Sequence, residues 1–395
     1  MYAVDIIICL LLCIAQLRLV SADAEFGKLV AWLKSHGGRV DRRFDVVDGT
    51  PEGVRGAIAL FAIEEGTELL FCPWKLVIGS TGMHDQMKKR DGEDGMCKVV
   101  EEMANELRRG PDSQWHPYLD HIVLPRLAAA WDGSALAELQ GIPPSLDADR
   151  HVRWFSKICG GDLDDEVSMF SLVAFISRAS EVGMIPIYDL LNHHNGRRNA
   201  KLFIGDEGLQ LMAVGKGGIN QGEELYLSYG LKAASQMYRD YGFVEDWPVV
   251  WNFRDSSTSD NFAFVQLSQD IIAINPSAEY LKSIWNSDTS LLQYEAEARV
   301  HSESLSVHEL KRFAQAVHNH LGELQSTLEE DEVTLSGKES LLAEQRLVSA
   351  KFDIPNAEDS ISAIQYRMKF KSALTSSFLF AEEILRQKNA ESPEL

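Results

Sequence analysis

Cysteine is scarce in this sequence, and its spacing argues against two kinds of structure. The 395 residues include five cysteines, which are Cys9, Cys13, Cys72, Cys97 and Cys159. No two of them are spaced as C-x-x-C, so neither a zinc cluster nor a disulfide framework is indicated. No cysteine follows Cys159, which excludes a cysteine-rich metal-binding segment in the C-terminal half.

Basic residues are also in short supply. Lys and Arg number 38 against 59 Asp and Glu, which gives a formal net charge of −21. This charge argues against nucleic acid as the main partner, because phosphate backbones select basic surfaces. Long-range attraction favours a protein partner with a basic, lysine-bearing segment. Solubility alone explains the charge equally well, because net charge is a weak guide to function.

Long apolar runs are missing except at the N-terminus. Residues 6–15 are almost wholly apolar, but spanning a bilayer takes roughly 20 apolar residues. Ala22-Asp23-Ala24 has the small-x-small pattern of a signal-peptidase site, although Asp5 stands where a basic residue is usual. We therefore expect residues 1–24 to be a cleaved signal peptide, in preference to a membrane anchor or a buried helix. The mature chain is then lumenal, secreted or in an organelle reached through the endoplasmic reticulum; the alternative is a cytoplasmic protein.

Apolar residues make up 45% of the chain, enough for a sizeable core. Short β-like runs bounded by glycine or proline, such as residues 68–71, characterise the N-terminal half, and helical periodicity interrupts them at 94–109. Residues 201–214 read as a hairpin. After about residue 250 the pattern is mostly helical, with breaks expected near 334–337. The sequence thus predicts a β-rich domain with inserted helices, followed by a helical domain.

The first informative motif is Asp189-Leu190-Leu191-Asn192-His193. An asparagine amide both donates and accepts hydrogen bonds, so it suits the amino-acid portion of a ligand, and the backbone around an Asn-His turn suits the edge of an adenine ring. For Asn-His alone, a buried turn with a satisfied core histidine is the better reading. The preceding residues 185–189, Ile-Pro-Ile-Tyr-Asp, reverse that preference.

The second motif is residues 222–230, and it is followed by residues 240–243. The Tyr229 hydroxyl can orient a reacting group, and Gly230 lets the backbone turn sharply behind it. A lone Tyr-Gly usually only ends a strand. Tyr241 and Phe243 suit a narrow aromatic channel that sheds water and favours a cationic side chain; core packing is the equal alternative for each ring.

In their order along the chain, these motifs resemble the SET-domain protein methyltransferases of the RuBisCO large-subunit methyltransferase-like family. This branch includes lysine methyltransferases and the actin histidine methyltransferase. The matching pieces extend over most of the chain: Arg55-Gly56-Ala57-Ile58-Ala59, residues 113–119, Ser177-Arg178, Asp189-x-x-Asn192-His193, Gly222-Glu223-Glu224, Ser228-Tyr229-Gly230, Tyr241-Gly242-Phe243 and, more weakly, residues 363–374.

The resemblance implies an α+β fold. A SET-domain β-fold of short strands with an inserted helical subdomain would be followed by an all-helical C-terminal substrate-binding domain. The implied limits are 25–250 for the SET domain, with the insertion at about 85–165, and 251–390 for the helical domain.

The resemblance also implies a site for S-adenosylmethionine. Tyr229 would be the catalytic residue, and Tyr241 and Phe243 would line the substrate channel. No metal is required, because the positive sulfur already activates the methyl group. The residues expected to bind the cofactor are Asn192, His193, Arg178, Asp189, Glu68, Leu69 and Phe243, with the backbone near Thr67 assisting.

Two positions depart from the family pattern. Ser180 stands where an aromatic residue is frequent, and His194 stands where a small residue is usual. Either could reshape the acceptor channel. The predicted function is an S-adenosylmethionine-dependent protein methyltransferase with lysine as the expected acceptor. The alternatives are a non-catalytic SET-fold binding or scaffold protein and a protein-histidine N-methyltransferase.

Overall fold

The structure is a computed structural model. It describes residues 24–50, 54–79, 92–131, 133–142, 150–230, 232–277, 279–281, 291–348 and 355–391. The predicted signal segment, residues 1–24, lies outside the described residues except for Ala24, where the first helix begins.

The secondary structure is mixed, as the α+β prediction requires. Within the described residues the strands are β1 (Arg39–Val40), β2 (Phe44–Val47), β3 (Gly56–Ala59), β4 (Glu68–Pro73), β5 (Asn192–His193), β6 (Ala200–Ile204), β7 (Gly208–Ala213), β8 (Tyr226–Leu227), β9 (Val249–Arg254), β10 (Asn261–Gln266) and β11 (Ile272–Ile274). The helices are α1 (Ala24–Ser35), α2 (Gly92–Arg109), α3 (His116–Leu119), α4 (Gly133–Ala137), α5 (Arg150–Ile158), α6 (Glu166–Arg178), α7 (Ala234–Tyr241), α8 (Leu291–Ser304), α9 (Val307–Glu323), α10 (Leu328–Val348) and α11 (Pro355–Glu391).

Contacts divide the chain into two compact units. The first unit is made of the chain up to Leu124 together with Phe155–Tyr229, and the second of Pro125–Trp154 together with Gly230–Leu395. The predicted limits cut the chain once, near residue 250, whereas each compact unit is built from two separate segments.

The first unit contains the strands that were expected from short apolar runs. Its largest sheet is antiparallel with the order β1-β4-β7-β6. The predicted hairpin is β6–β7, closed where the Gly205 N–H donates to the Gly208 carbonyl over 2.9 Å. The inner residues of β4 are all buried, because β4 has a strand on each side and the core of the first unit beneath it.

Two smaller strand pairs complete the β-structure of the first unit. β2 pairs antiparallel with β3, and β5 pairs in parallel with β8. The segment before β8 also lies beside β3, since the Leu225 N–H donates to the Ala57 carbonyl over 2.8 Å. These contacts gather three distant parts of the sequence, near residues 56, 192 and 225.

A disulfide joins two helical parts of the first unit. Cys97 in α2 is bonded to Cys159, which directly follows α5, across a sequence separation of 62 residues. Spacing along the sequence gave no indication of this pair, because only the fold brings α2 and the end of α5 together. Cys72 is a free buried cysteine, and burial raises the pKa of its thiol to about 12.

The second unit combines a small sheet with long helices. β11, β10 and β9 form an antiparallel sheet, and α11 packs against both α9 and α10. The expected helical C-terminal region is present in α8 to α11, but the predicted range of 251–390 also contains β9, β10 and β11, so its helices do not begin at residue 251. The predicted break at 334–337 is also wrong, since these residues lie inside α10.

The described residues contain neither a candidate membrane span nor a candidate metal site. None of their helices has both the length and the apolar character that crossing a membrane requires. In the same part of the chain, no three His, Cys, Asp or Glu residues are grouped as they would be to hold a metal ion.

Candidate functional site

The two motifs singled out in the sequence meet in the first unit, where β5 pairs with β8. Asn192 lies opposite Tyr226, and His193 lies opposite Leu227. The pairing continues by one residue, because the His194 N–H donates to the Leu227 carbonyl over 3.0 Å. Residues 191–194 and 225–229 therefore form one structural element, although more than thirty residues separate them in the sequence.

Tyr229 is held against the other motif by three contacts. Its hydroxyl donates to the Leu191 carbonyl over 2.7 Å, and its backbone N–H donates to Nδ1 of His193 over 2.9 Å. The rings of His193 and Tyr229 stack with centroids 5.0 Å apart. These contacts fix the phenol of Tyr229 beside the Asn-His turn.

Asn192 has its side-chain amide oriented by two acceptors. Its Nδ2 group donates to the Arg55 carbonyl over 2.9 Å and to Oε1 of Glu224 over 2.7 Å. Both N–H groups are thereby used, and the amide oxygen Oδ1 is the hydrogen-bonding atom that remains. Among the described residues no donor reaches it. The structure thus presents an acceptor at this position.

Gly56 makes the close approach of these groups possible. A Cβ atom on this residue would lie 2.4 Å from Oε1 of Glu224 and 2.5 Å from Nδ2 of Asn192. Any larger residue would displace the carboxylate and the amide together. The stretch around Arg55 and Gly56 entered the sequence analysis only as one of the pieces that match the family, and its contact with Asn192 could not be inferred from spacing.

Glu224 belongs to the second motif, residues 222–230, but it was not predicted to be a site residue. It is 4% exposed, and its second carboxylate oxygen accepts from the Tyr226 hydroxyl over 3.0 Å. Asn199 holds the same stretch of backbone, since its Nδ2 donates to the Glu224 carbonyl over 2.8 Å and its Oδ1 accepts from the Tyr226 N–H over 2.8 Å. The carboxylate of Glu224 is therefore carried by a backbone segment that hydrogen bonds hold in place.

Asp189 and Arg178 brace the turn that precedes β5. The Arg178 guanidinium donates to the Asp189 carbonyl over 2.9 Å and to the Val123 carbonyl, and the Tyr118 hydroxyl donates to the Asp189 carboxylate over 3.0 Å. Burial raises the pKa of Asp189, against the opposing effects of Arg178 and Tyr118. Both side chains have partners inside the protein, although Oδ1 of Asp189 and Nε of Arg178 have none among the described residues, and their predicted contact with the cofactor stays a prediction.

Glu68 and Leu69 lie in the four-stranded sheet. Arg39 makes a two-point ion pair with the Glu68 carboxylate at 2.7 and 2.9 Å, and the Leu69 carbonyl accepts from the Asp41 N–H over 2.9 Å. The Thr67 carbonyl accepts from the Ala213 N–H over 2.9 Å. The structure gives these groups sheet partners and shows no hydrogen bond from them to Asn192, His193 or Tyr229 among the described residues.

Tyr241 and Phe243, the predicted channel residues, belong to the second unit. Their ring centroids are 6.4 Å apart with the planes inclined by 57°, and Nζ of Lys232 lies 5.6 Å from the centroid of the Tyr241 ring. The Phe243 residue is 37% exposed. Within the second unit the two aromatics therefore form a partly exposed pair that already accommodates a cation on one face.

Both departures from the family pattern have a local structural explanation. The Ser180 hydroxyl donates to the Gly183 carbonyl over 2.9 Å and closes a tight turn. Nδ1 of His194 accepts from the N–H groups of Gly196 and Arg197 at 3.1 and 3.2 Å. Each side chain satisfies the backbone of its own loop, and an effect of either on the acceptor channel stays a prediction.

Comparison with known proteins identifies the class of fold. No family model matches the sequence, and no curated protein matches it. Solved structures do match, and they show that the chain has the SET-domain fold. The resemblance predicted from the motifs is therefore confirmed at the level of the fold.

Structures of LSMT are among those that this chain resembles. A crystal structure of the SET domain of LSMT bound to lysine and AdoHcy is 17% identical, with a TM-score of 0.54 and coverage of 95% of this chain and 94% of that chain. A structure of Rubisco LSMT bound to AdoMet is 17% identical, with a TM-score of 0.55 and coverage of 94% and 93%. The SET domain of LSMT bound to MeLysine and AdoHcy is 16% identical, with a TM-score of 0.55 and coverage of 93% of each chain.

Proposed function

We propose that this protein is an S-adenosylmethionine-dependent protein methyltransferase whose acceptor is lysine. The observation that carries the proposal is the meeting of Asn192, His193 and Tyr229 at the parallel β5–β8 pair of a SET-domain fold. The similar structures of LSMT hold AdoMet or AdoHcy, and two of them hold lysine or MeLysine.

The residues at this position fit the proposed cofactor. Both N–H groups of Asn192 are held by protein acceptors, so its Oδ1 is suited to accept from an ammonium group such as that of the methionine portion. Gly56 leaves room for the backbone and the amide to approach each other. Bound there, S-adenosylmethionine would supply a methyl group on a positively charged sulfur.

Tyr229 orients the acceptor in this proposal. Its hydroxyl proton points to the Leu191 carbonyl, so toward an incoming amine the phenol oxygen acts as a hydrogen-bond acceptor. Holding the amine in line in this way lowers the barrier to displacement. His193 and Glu224 already serve Tyr229 and Asn192, so neither is placed as a general base, and water would take the lysine proton before transfer.

A basic segment of another protein is the partner that the charge favours. The chain carries a net charge of −21, and the first turn of α10 in the second unit presents two exposed carboxylates, Glu329 and Glu330. Attraction of this kind raises the rate of encounter with a lysine-bearing segment. The same negative charge repels the phosphate backbone of a nucleic acid and so disfavours nucleic acid as a partner.

The proposed activity is tested with a labelled methyl donor. The purified chain, incubated with S-adenosylmethionine and a cell lysate, is expected to label proteins that yield methyllysine on hydrolysis. Methylhistidine in place of methyllysine would overturn the assignment of the acceptor. S-adenosylmethionine at a hundredfold excess over Kd should raise the free energy of unfolding by about 2.7 kcal/mol. If it gives no such stabilisation, a non-catalytic scaffold is favoured.

Replacing Asn192 with alanine is expected to weaken cofactor binding by about ten- to hundredfold, because a hydrogen bond to a charged group is lost and the Glu224 carboxylate loses a partner. Isothermal titration calorimetry with S-adenosylhomocysteine measures this change. Asn220→Ala is the matched control, since Asn220 is exposed and its amide donates to the exposed Glu223. Equal affinities of the Asn192→Ala variant and the wild type would contradict the assignment.

We also propose that the chain enters the secretory pathway. The signal-like residues 1–24 motivate this proposal, and the Cys97–Cys159 bond supports it, because disulfides persist in oxidising compartments. Expressed in eukaryotic cells, the protein is expected to lose about its first 24 residues and to resist protease inside intact microsomes. A full-length cytosolic chain with both cysteines reduced would refute the proposal.

A further inference from the structure

We infer that Glu224 is a positioning residue that fixes the Asn192 amide for the cofactor, an inference that rests on the proposed function. Glu224 would touch neither cofactor nor substrate. It acts through one hydrogen bond of 2.7 Å, from Nδ2 of Asn192 to its Oε1. Its carboxylate is buried, a costly arrangement that its contact with Asn192 explains.

The buried carboxylate of Glu224 selects one of two possible orientations of the Asn192 amide. An asparagine can turn by half a revolution and exchange its oxygen for its NH₂ group at nearly the same shape. The Asn192 amide faces two oxygens that can only accept, the Arg55 carbonyl at 2.9 Å and the Glu224 carboxylate at 2.7 Å. A turned amide would place its own oxygen against both of them. Only one orientation is therefore stable, and it directs Oδ1 away from Glu224 and Arg55.

The Glu224 carboxylate is itself held in place. Its Oε2 accepts from the Tyr226 hydroxyl over 3.0 Å, and the residue is 4% exposed. Asn199 fixes the backbone between these two residues, at the Glu224 carbonyl and the Tyr226 N–H. Gly56 admits the carboxylate, because a Cβ at that position would lie 2.4 Å from its Oε1. A buried carboxylate is costly unless its oxygens are satisfied, and here both are.

The role assigned to Glu224 predicts a selective defect. Only ligands that carry the amino-acid portion use Oδ1 of Asn192, so only these should sense the loss of its orientation. S-adenosylhomocysteine carries this portion, and 5′-methylthioadenosine has the same nucleoside without it. A side chain that merely stabilised the fold would change the affinity for both ligands alike.

Calorimetry with the two ligands on the full chain tests the inference. Glu224→Met removes both acceptor oxygens and keeps a side chain of similar length. It is expected to lower the affinity for S-adenosylhomocysteine about tenfold and to leave the affinity for 5′-methylthioadenosine unchanged. Glu224→Gln is expected to stay within about twofold of the wild type for both ligands, because its amide oxygen can accept from Asn192 while its NH₂ donates to the Tyr226 oxygen. Glu223→Met is the matched control, since Glu223 is exposed and binds the Asn220 backbone.

The outcomes separate this inference from the proposed function. Equal affinities of Glu224→Met and the wild type for S-adenosylhomocysteine would overturn the role of Glu224 alone. Equal weakening of both ligands by Glu224→Met, or a Glu224→Gln variant as weak as Glu224→Met, would overturn it as well. A wild-type chain that binds neither ligand would overturn the proposed function. Binding of 5′-methylthioadenosine by the variants verifies in the same experiment that the site is folded.

Discussion

Tyr229→Phe is expected to lower the rate of methyl transfer by about a hundredfold or more, while the affinity for the cofactor stays within about threefold. The substitution keeps the ring that stacks on His193 and removes only the hydroxyl that donates to the Leu191 carbonyl. Without that oxygen, the incoming amine loses the acceptor that aligns it. Misalignment affects transfer far more than binding of the methyl donor, so the loss should appear in kcat.

Single-turnover transfer from labelled S-adenosylmethionine measures this effect, with calorimetry as the measure of binding. Tyr238→Phe is the matched control, because it too removes a hydrogen-bonded phenol hydroxyl, here one bonded to Ser362 over 2.7 Å in the second unit. This control is expected to lose about 1 kcal/mol of stability and little activity. A Tyr229→Phe variant with wild-type turnover would remove Tyr229 from the reaction.

Loss of the Cys97–Cys159 bond is expected to lower the free energy of unfolding by about 4 kcal/mol. The bond closes a loop across 62 residues, and a loop of that length restricts the unfolded chain by roughly this amount. The double variant Cys97→Ser and Cys159→Ser should therefore unfold at a temperature lower by roughly 5 °C. The buried thiol of Cys72, whose pKa is raised to about 12, should not replace either partner.

Thermal denaturation with and without a reductant checks the disulfide. The wild type in reductant should melt like the double variant, and the double variant should melt at one temperature in both buffers. Mass spectrometry under each condition counts the free thiols. If the wild type melts unchanged after its thiols have been shown to be reduced, the bond does not stabilise this fold.

Local patterns predicted the elements whose structure is decided locally. The hairpin β6–β7 follows from apolar runs on either side of Gly205 and Gly208, and α2 follows from its helical period. Residues 334–337 show the limit of such patterns, because a glycine-containing stretch expected to break the helix lies within α10, which packs against α11. The strands after residue 248 have the β-branched and aromatic residues typical of sheets, but the longer helical pattern that follows outweighed them.

The candidate site also has a part that could be predicted from the sequence and a part that could not. The Asn-His and Ser-Tyr-Gly motifs could be predicted to meet because they match a known pair of motifs. The partners of Asn192 could not be predicted, since Arg55 lies 137 residues away and Glu224 lies 32 residues away, and no periodicity connects them. Glu68 and Leu69 have partners in a sheet, and their expected contact with the cofactor stays a prediction.

The division of the second unit between two segments has a consequence during translation. α4 and the residues after it, including Leu139 and Ile142, are buried in one core with Phe370 of α11, and Glu138 pairs with Arg367, 229 residues later. At about 5–20 residues per second, the ribosome needs roughly 10 to 50 seconds to deliver that helix. During this interval the apolar side of α4 lacks its native cover, so the nascent chain should attract chaperones at this short helix well before synthesis ends.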